Sequence, residues 1–249
     1  MNEPLILAIE TATRAGSVTV AKGGSVLSSR AGDAAVSHSA NLIELIAQVL
    51  QSAGAQLSNI DLFAVAVGPG SFTGLRIGLA TVKALANCTG RKVSGVSTLA
   101  AIAHAAGSTG EVVSLLPAGR GEVFAQRFAT EKGSVDAIDT AAHLSPAALL
   151  ERYGALESLT WAGDGARQQI ELLTTWARDK GFSVADSGSN GSGWKIIDET
   201  NNLAEAVAAL ALEQFEAGKS SSADELQAVY VRASDAEINE RWQQEKARP

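Results

Sequence analysis

Two short stretches carry residue types that could meet a phosphate. Glu10-Thr11-Ala12-Thr13 closes an apolar run and enters a turn. An acid and two hydroxyls there can serve a nucleotide phosphate and its metal, or can serve the turn itself, with Glu10 paired to a nearby base. Gly68-Pro69-Gly70-Ser71-Phe72-Thr73-Gly74 leads a second apolar run into a helix. Gly68 and Gly70 permit backbone angles closed to other residues, and Pro69 stiffens the turn between them. Ser71 or Thr73 can cap the helix, and the first amides of a helix attract anions. The stretch is not GxxxxGK[ST], and it is not GxGxxG, because the third glycine arrives one residue late, at Gly74. It reads as a structural turn or as a phosphate site. Glu10, Thr11, Thr13, Gly68 and Gly70 together form the candidate nucleotide site, of a vestigial kind.

Metal and nucleophile chemistry is harder to find. The three histidines are His38, His104 and His143. A helical metal site commonly uses ligands at i and i+4, on one face. Four residues after His38 stands Leu42, which cannot bind a metal. His104 falls in an alanine-rich helix and His143 in a loop, neither with a co-ligand nearby in sequence. Asp61 reads as a strand start and Asp164 as a turn or cap. No G-x-S-x-G frame is present. The expectation is that this chain has no catalytic residue and no metal ligand set.

The elements that must hold these residues follow from pattern. Strands are expected at 5–10, 17–21, 25–30, 61–67, 92–96, 111–117, 121–129 and 134–138. Helices are expected at 37–52, 73–88, 97–106, 146–153, 165–179 and 202–217, with Asn202 and Glu205 placed as a capping box and Gly218 as a stop. Residues 187–193 read as a loop. Gly16-Ser17-Val18 and Gly121-Glu122-Val123 stand in the same pattern 105 residues apart. Two meander-then-helix units imply an α/β protein of two related lobes.

Helices 37–52 and 73–88 are apolar over more than the stripe that one-sided burial requires. On the first, Leu42, Ile43, Leu45, Ile46, Val49 and Leu50 span an arc of about 160°. On the second, Leu75, Leu79, Val82 and Leu85 share one side, while Ile77, Ala80, Ala84 and Cys88 lie roughly opposite. Small residues such as Gly78 permit another helix to approach. The two helices can pack on each other or grip a neighbour.

Bulk properties narrow the classes. The 249 residues are 46% hydrophobic and 19% charged, which supports a packed core. The net charge of −7 repels nucleic-acid phosphates, so work on RNA would need a partner's basic surface. The single cysteine, Cys88, excludes an internal disulfide. No apolar run reaches the roughly 18 residues of a membrane span, and the start lacks the features of a signal peptide. A cytoplasmic protein with no membrane attachment is the expectation.

Residues 5–21, LILAIETATRAGSVTVA, the His38-Ser39-Ala40-Asn41-Leu42 helix start and residues 65–86, VAVGPGSFTGLRIGLATVKALA, closely resemble the bacterial TsaB family of tRNA threonylcarbamoyladenosine biosynthesis proteins, non-catalytic relatives of TsaD. Arg120-Gly121-Glu122-Val123-Phe124 and Ala228-Val229-Tyr230-Val231-Arg232 extend the resemblance. It is most specific over residues 5–100.

The resemblance implies an actin/hexokinase/Hsp70-like fold, a ribonuclease H-like motif duplicated into two lobes of mixed sheets flanked by helices. The lobes would comprise residues 1–104 plus about 224–249, and residues 105–223. It implies a heterodimer with TsaD through the first two long helices, and work alongside the ATPase TsaE. Within that complex, threonylcarbamoyl passes to N6 of the adenosine beside the anticodon in tRNAs reading ANN codons. ATP or ADP with magnesium would belong only to that complex, and tRNA would be reached through it. TsaD carries its metal on an HxxxH helix, to which His38 and Leu42 correspond here. The interface expected on these grounds comprises His38, Leu42, Leu45, Ile46, Val49, Leu75, Ile77, Gly78, Leu79, Val82 and Leu85, and the turn at 68–74 would serve to aim the second helix. A homodimer through the same helices is expected when TsaD is absent. Relatives usually read Asp-Ala-Arg before the Gly-Glu-Val block, where this chain has Pro117-Ala118-Gly119-Arg120; the acid is replaced by Ala118 or displaced, so its role does not transfer. The competing expectation is a small-molecule kinase or metallopeptidase of the same superfold, because fold alone does not set activity.

Overall fold

The computed structural model describes residues 3–35, 37–185, 193–197 and 202–231, with residues 38–40 described by backbone only. Most of the expected loop at 187–193, and the end of the chain beyond 231, lie outside the described residues.

The first unit runs β1 (Leu5–Glu10), β2 (Ser17–Lys22), β3 (Ser25–Ala31), α1 (His38–Ser52), β4 (Leu62–Gly68), α2 (Phe72–Thr89), β5 (Lys92–Ser97) and α3 (Thr98–Ala105). Its sheet has the order β3-β2-β1-β4-β5. The β1–β2 and β2–β3 pairs are antiparallel, and β1–β4 and β4–β5 are parallel. Strands β1 and β4 are apolar without alternation because helices cover both faces of the sheet. Helices α1 and α2 pack together on one face.

The second unit repeats the plan. It runs β6 (Gly110–Gly119), β7 (Glu122–Glu131), β8 (Ser134–Ala137), β9 (Ala142–Leu144), α4 (Pro146–Tyr153), β10 (Leu159–Ala162), α5 (Asp164–Gln168), α6 (Ile170–Lys180), β11 (Val184–Ala185), β12 (Trp194–Ile197) and α7 (Leu203–Glu216). The sheet order is β11-β12-β10-β6-β7-β8, with β9 on β7. Again two antiparallel strands follow a central one, which pairs in parallel with the strand after the first helix. Strands β1 and β6, and β2 and β7, begin 105 residues apart.

The last helix of each unit crosses over. Helix α3 packs on the second sheet, where Leu99, Ile102 and Ala103 join Val112, Leu116 and Phe128. Helix α7 packs on the first sheet, and Ala204, Val207, Ala208 and Ala211 belong to its core. The division expected at 104/105 thus puts α3 and α7 each in the wrong lobe. Chain adjacency suggested that division, but the alanine-rich side of α7 fits closely onto β1 and β2. The capping box expected at Asn202 is also not formed. Asn202 takes the left-handed conformation at φ 52°, and Ser17 Oγ accepts from the Ala204 amide at 3.0 Å instead.

The chain then returns as a strap. Ser221 exchanges backbone hydrogen bonds with Val93 at 2.9 and 3.0 Å, and Ala223 and Leu226 are buried in the first core.

Candidate partner surface and interlobe cleft

The turn after β4 is pinned to the turn after β1. The Ser71 amide donates to Ala12 O at 2.8 Å, and Thr11 Oγ1 donates to Gly74 O at 2.7 Å. A Cβ on Gly70 would lie 2.6 Å from both Ala12 Cβ and Ala12 O, so only glycine allows this approach. Ser71 caps α2, its Oγ accepting from the Gly74 amide at 3.2 Å. Gly78, one turn on, sits where any Cβ would strike Thr11 Oγ1. The glycines and the cap therefore fix the start and the seating of α2.

The candidate nucleotide residues are engaged elsewhere. Glu10 is buried, and its carboxylate accepts from the Thr13 amide at 2.6 Å and from Thr13 Oγ1 at 2.7 Å. Thr11 is buried against α2. Gly68 faces the strap, where a Cβ would strike Val229 O. Only Thr13 and Gly70 reach the cleft between the sheets, a space of about 590 Å³. Its walls are mostly apolar, with Pro69, Phe72, Leu116, Pro117, Phe124 and Tyr230, and with Arg14 and Asp164 as the charged groups. The expectation that Glu10, Thr11 and Gly68 line a nucleotide site is corrected: the first two serve hairpin and helix seating, and the third admits the strap. These five residues do not fit a magnesium nucleotide as they stand. Ala118 lies on the cleft wall. Gly119, Arg120 and Gly121 all have positive φ and make the tight β6–β7 turn.

The residues of the two long helices divide between the core and an open side. Leu42, Ile46 and Val49 of α1 and Leu75, Gly78, Leu79 and Val82 of α2 are buried within the protomer. Seven of the residues expected at the interface are thus core, because their stripes face the first sheet and each other. Leu45, Ile77 and Leu85 are half-buried. The side chain of His38 lies outside the described residues. The open face consists of other residues. Ile43 on α1 is 67% exposed, and Ala47 beside it is exposed. On α2, Ala80, Ala84 and Cys88 are exposed in line with half-buried Ile77. The helical wheel already set Ile77, Ala80, Ala84 and Cys88 apart from the leucine stripe. Their small size hid them behind the larger residues.

Other titratable groups serve the second lobe. Asp139 accepts from Tyr153 Oη at 2.8 Å, from Arg152 at 2.9 Å and from the Arg127 amide at 2.8 Å. Burial, then the bond to Asp139, raises the Tyr153 pKa well above the usual phenol range. His143 Nε2 lies 2.8 Å from Glu122. Among the described residues, no three His, Cys, Asp or Glu side chains gather as a metal site, and no helix is long and apolar enough to cross a membrane.

Comparison with known proteins places the chain. A family model described as "TsaD: tRNA N6-adenosine threonylcarbamoyltransferase" matches residues 27–247. The "tRNA threonylcarbamoyladenosine biosynthesis protein TsaB" of Escherichia coli is 30% identical over 239 residues, covering 91% of this chain and 94% of that protein. The solved structure of YeaZ from Pseudomonas aeruginosa superposes with a TM-score of 0.74 at 26% identity, covering 91% of this chain and 99% of that one. Component A of (R)-2-hydroxyglutaryl-CoA dehydratase from Acidaminococcus fermentans shares the fold, with a TM-score of 0.51 at 11% identity, over 84% of this chain and 98% of that one. The duplicated two-sheet architecture is that of the actin/hexokinase/Hsp70-like proteins. The chain spans nearly the whole length of a curated TsaB, and it belongs to the bacterial TsaB family, within the wider family of TsaD.

Proposed function

We propose that this chain takes part in tRNA threonylcarbamoyladenosine biosynthesis as a non-catalytic subunit that docks a TsaD-type partner through α1 and α2. The observation that carries this reading is at Leu42. The resemblance would put a second metal ligand at that position, and the side chain there is an apolar one with 3% exposure, packed in the core of the first lobe. The position has become structural, so the catalytic metal falls to the partner. Support for docking comes from the open side of the helix pair, where Ile43, Ile77, Ala80 and Ala84 present an apolar, small-residue surface on rigid elements. Small residues let another helix approach closely, and a ridge such as Ile43 can fill a groove opposite. TsaE and tRNA join through that complex, and ATP or ADP with magnesium belongs there. The acidic chain leaves the phosphate contacts to its partners.

The test is reconstitution of tRNA modification from purified TsaD and TsaE with and without this chain. Strong dependence on the chain is expected, and modification at full rate without it would overturn the reading. Full activity of the chain without TsaD would restore the competing view of an enzyme.

A further inference from the structure

The strap that follows α7 reaches the start of α2. Its buried anchors are Ala223 and Leu226, the latter against Gly95, where a Cβ would lie 3.0 Å from Leu226 Cδ1. Beyond them the Val229 amide donates to Val67 O at 2.7 Å, one residue before the turn that opens α2. Gly68 has a φ of 117°, and the absence of a side chain there admits the Val229 carbonyl. The next residue, Tyr230, lays its ring on Phe72, the first residue of α2, with centroids 5.2 Å apart. The Arg76 guanidinium covers the Phe72 ring at 3.8 Å. Tyr230, Phe72 and Arg76 thus form one column at the helix start. Val231 continues to the second core, and Tyr230 and Val231 line the cleft. Yet Val229 and Tyr230 are about half exposed, so this end of the strap is held by few contacts.

We propose that strap residues 226–231 clamp the start of α2, with Tyr230 as a positioning residue, so that the strap adds to the glycine contacts and the Ser71 cap in holding the docking face of α2 in its aim. The docking clause rests on the function proposed above, and the clamp itself does not. A first helical turn has amides without intrahelical partners and frays readily. Ser71 caps one of them, and the stack of Tyr230, Phe72 and Arg76 adds side-chain packing at that turn. Because Tyr230 also forms the cleft wall, anything that enters the cleft and lifts the ring would loosen the docking helix.

The full-length chain carries the test. Amide exchange at Gly74, Leu75 and Arg76 reports the first turn, and calorimetric titration with TsaD reports docking. Tyr230→Ala should raise exchange at those amides by about tenfold and weaken TsaD binding by about fivefold, leaving exchange in the second sheet unchanged. Tyr230→Phe keeps the ring and should restore both. Val229→Pro removes the donor to Val67 and should reproduce the Tyr230→Ala result. Unchanged first-turn exchange in both Tyr230→Ala and Val229→Pro would overturn the clamp. Raised exchange with wild-type TsaD affinity would overturn the link to docking. Failure of the unaltered chain to bind TsaD would refute the proposed function instead, and the exchange data would still decide the clamp.

Discussion

Gly70 and Gly78 show how much of this chain's organisation rests on atoms that are absent. Each marks a place where two backbones, or a backbone and a hydroxyl, come closer than a methyl group allows. Gly70→Ala must separate the turn from Ala12, whose backbone cannot yield as a flexible side chain would. The expected cost is about 1–3 kcal/mol, read as a lower urea midpoint with unchanged slope. His104 sets a different dependence. Burial lowers its pKa from 6.5, against an opposing pull from Glu213. The folded protein therefore resists the proton that the unfolded chain accepts near 6.5. Stability is complete above that pH and is lost as acidification proceeds from there towards the lower folded value. The melting temperature should fall between about pH 7.5 and about pH 5.5, and less steeply in His104→Gln.

At the scale of elements, α1 and α2 separate a core side from an open side, which is the docking side in the function proposed above, and substitutions should divide the same way. Val82→Asp buries a charge with no partner in the first core and should unfold the protein, with a loss of several kcal/mol. Ile43→Asp and Ala84→Arg change exposed positions and should leave the melting temperature within a few degrees while reducing co-purification with TsaD. Normal complex formation by both would remove the docking face. The strands and helices of the first unit were legible because long periodic runs sit between glycine turns. The duplication was legible at Gly16 and Gly121 because both positions demand a positive φ before the second strand. Leu159–Ala162 and Trp194–Ile197 escaped notice, since a run of four residues is too short to carry a period. The single helix expected at 165–179 is broken at Gln169, whose Nε2 donates to Gly121 O at 2.7 Å, a tertiary contact with no local signature. The width of the apolar arc on α1 and α2 was read correctly, but its larger residues went to the core. On α2 that left Ala80, Ala84 and Cys88 outward, whereas on α1 the large Ile43 stays exposed.

For the molecule as a whole, the exchange of α3 and α7 gives the two sheets a shared interior. Leu99 and Ile102 are fully buried where α3 meets the second sheet, while neighbouring Ala101 belongs to the first core. The two halves should therefore melt together. In a Trp242→Phe background, Trp161, Trp176 and Trp194 report on the second lobe by fluorescence and far-ultraviolet dichroism reports on both, so the two denaturation curves are expected to coincide. Ile102→Ala should lower the common midpoint, at a cost of about 2–5 kcal/mol, without splitting the transition. Two resolved transitions would contradict the shared interior.

The same exchange constrains how the protein can be made. While a ribosome is still adding residues 110–197, the first sheet has its strands but lacks the helix that shields one broad side. That side stays greasy and open until Leu203–Glu216 has left the exit tunnel. A nascent chain of this protein is expected to need a holding chaperone from the completion of the first sheet until that helix emerges.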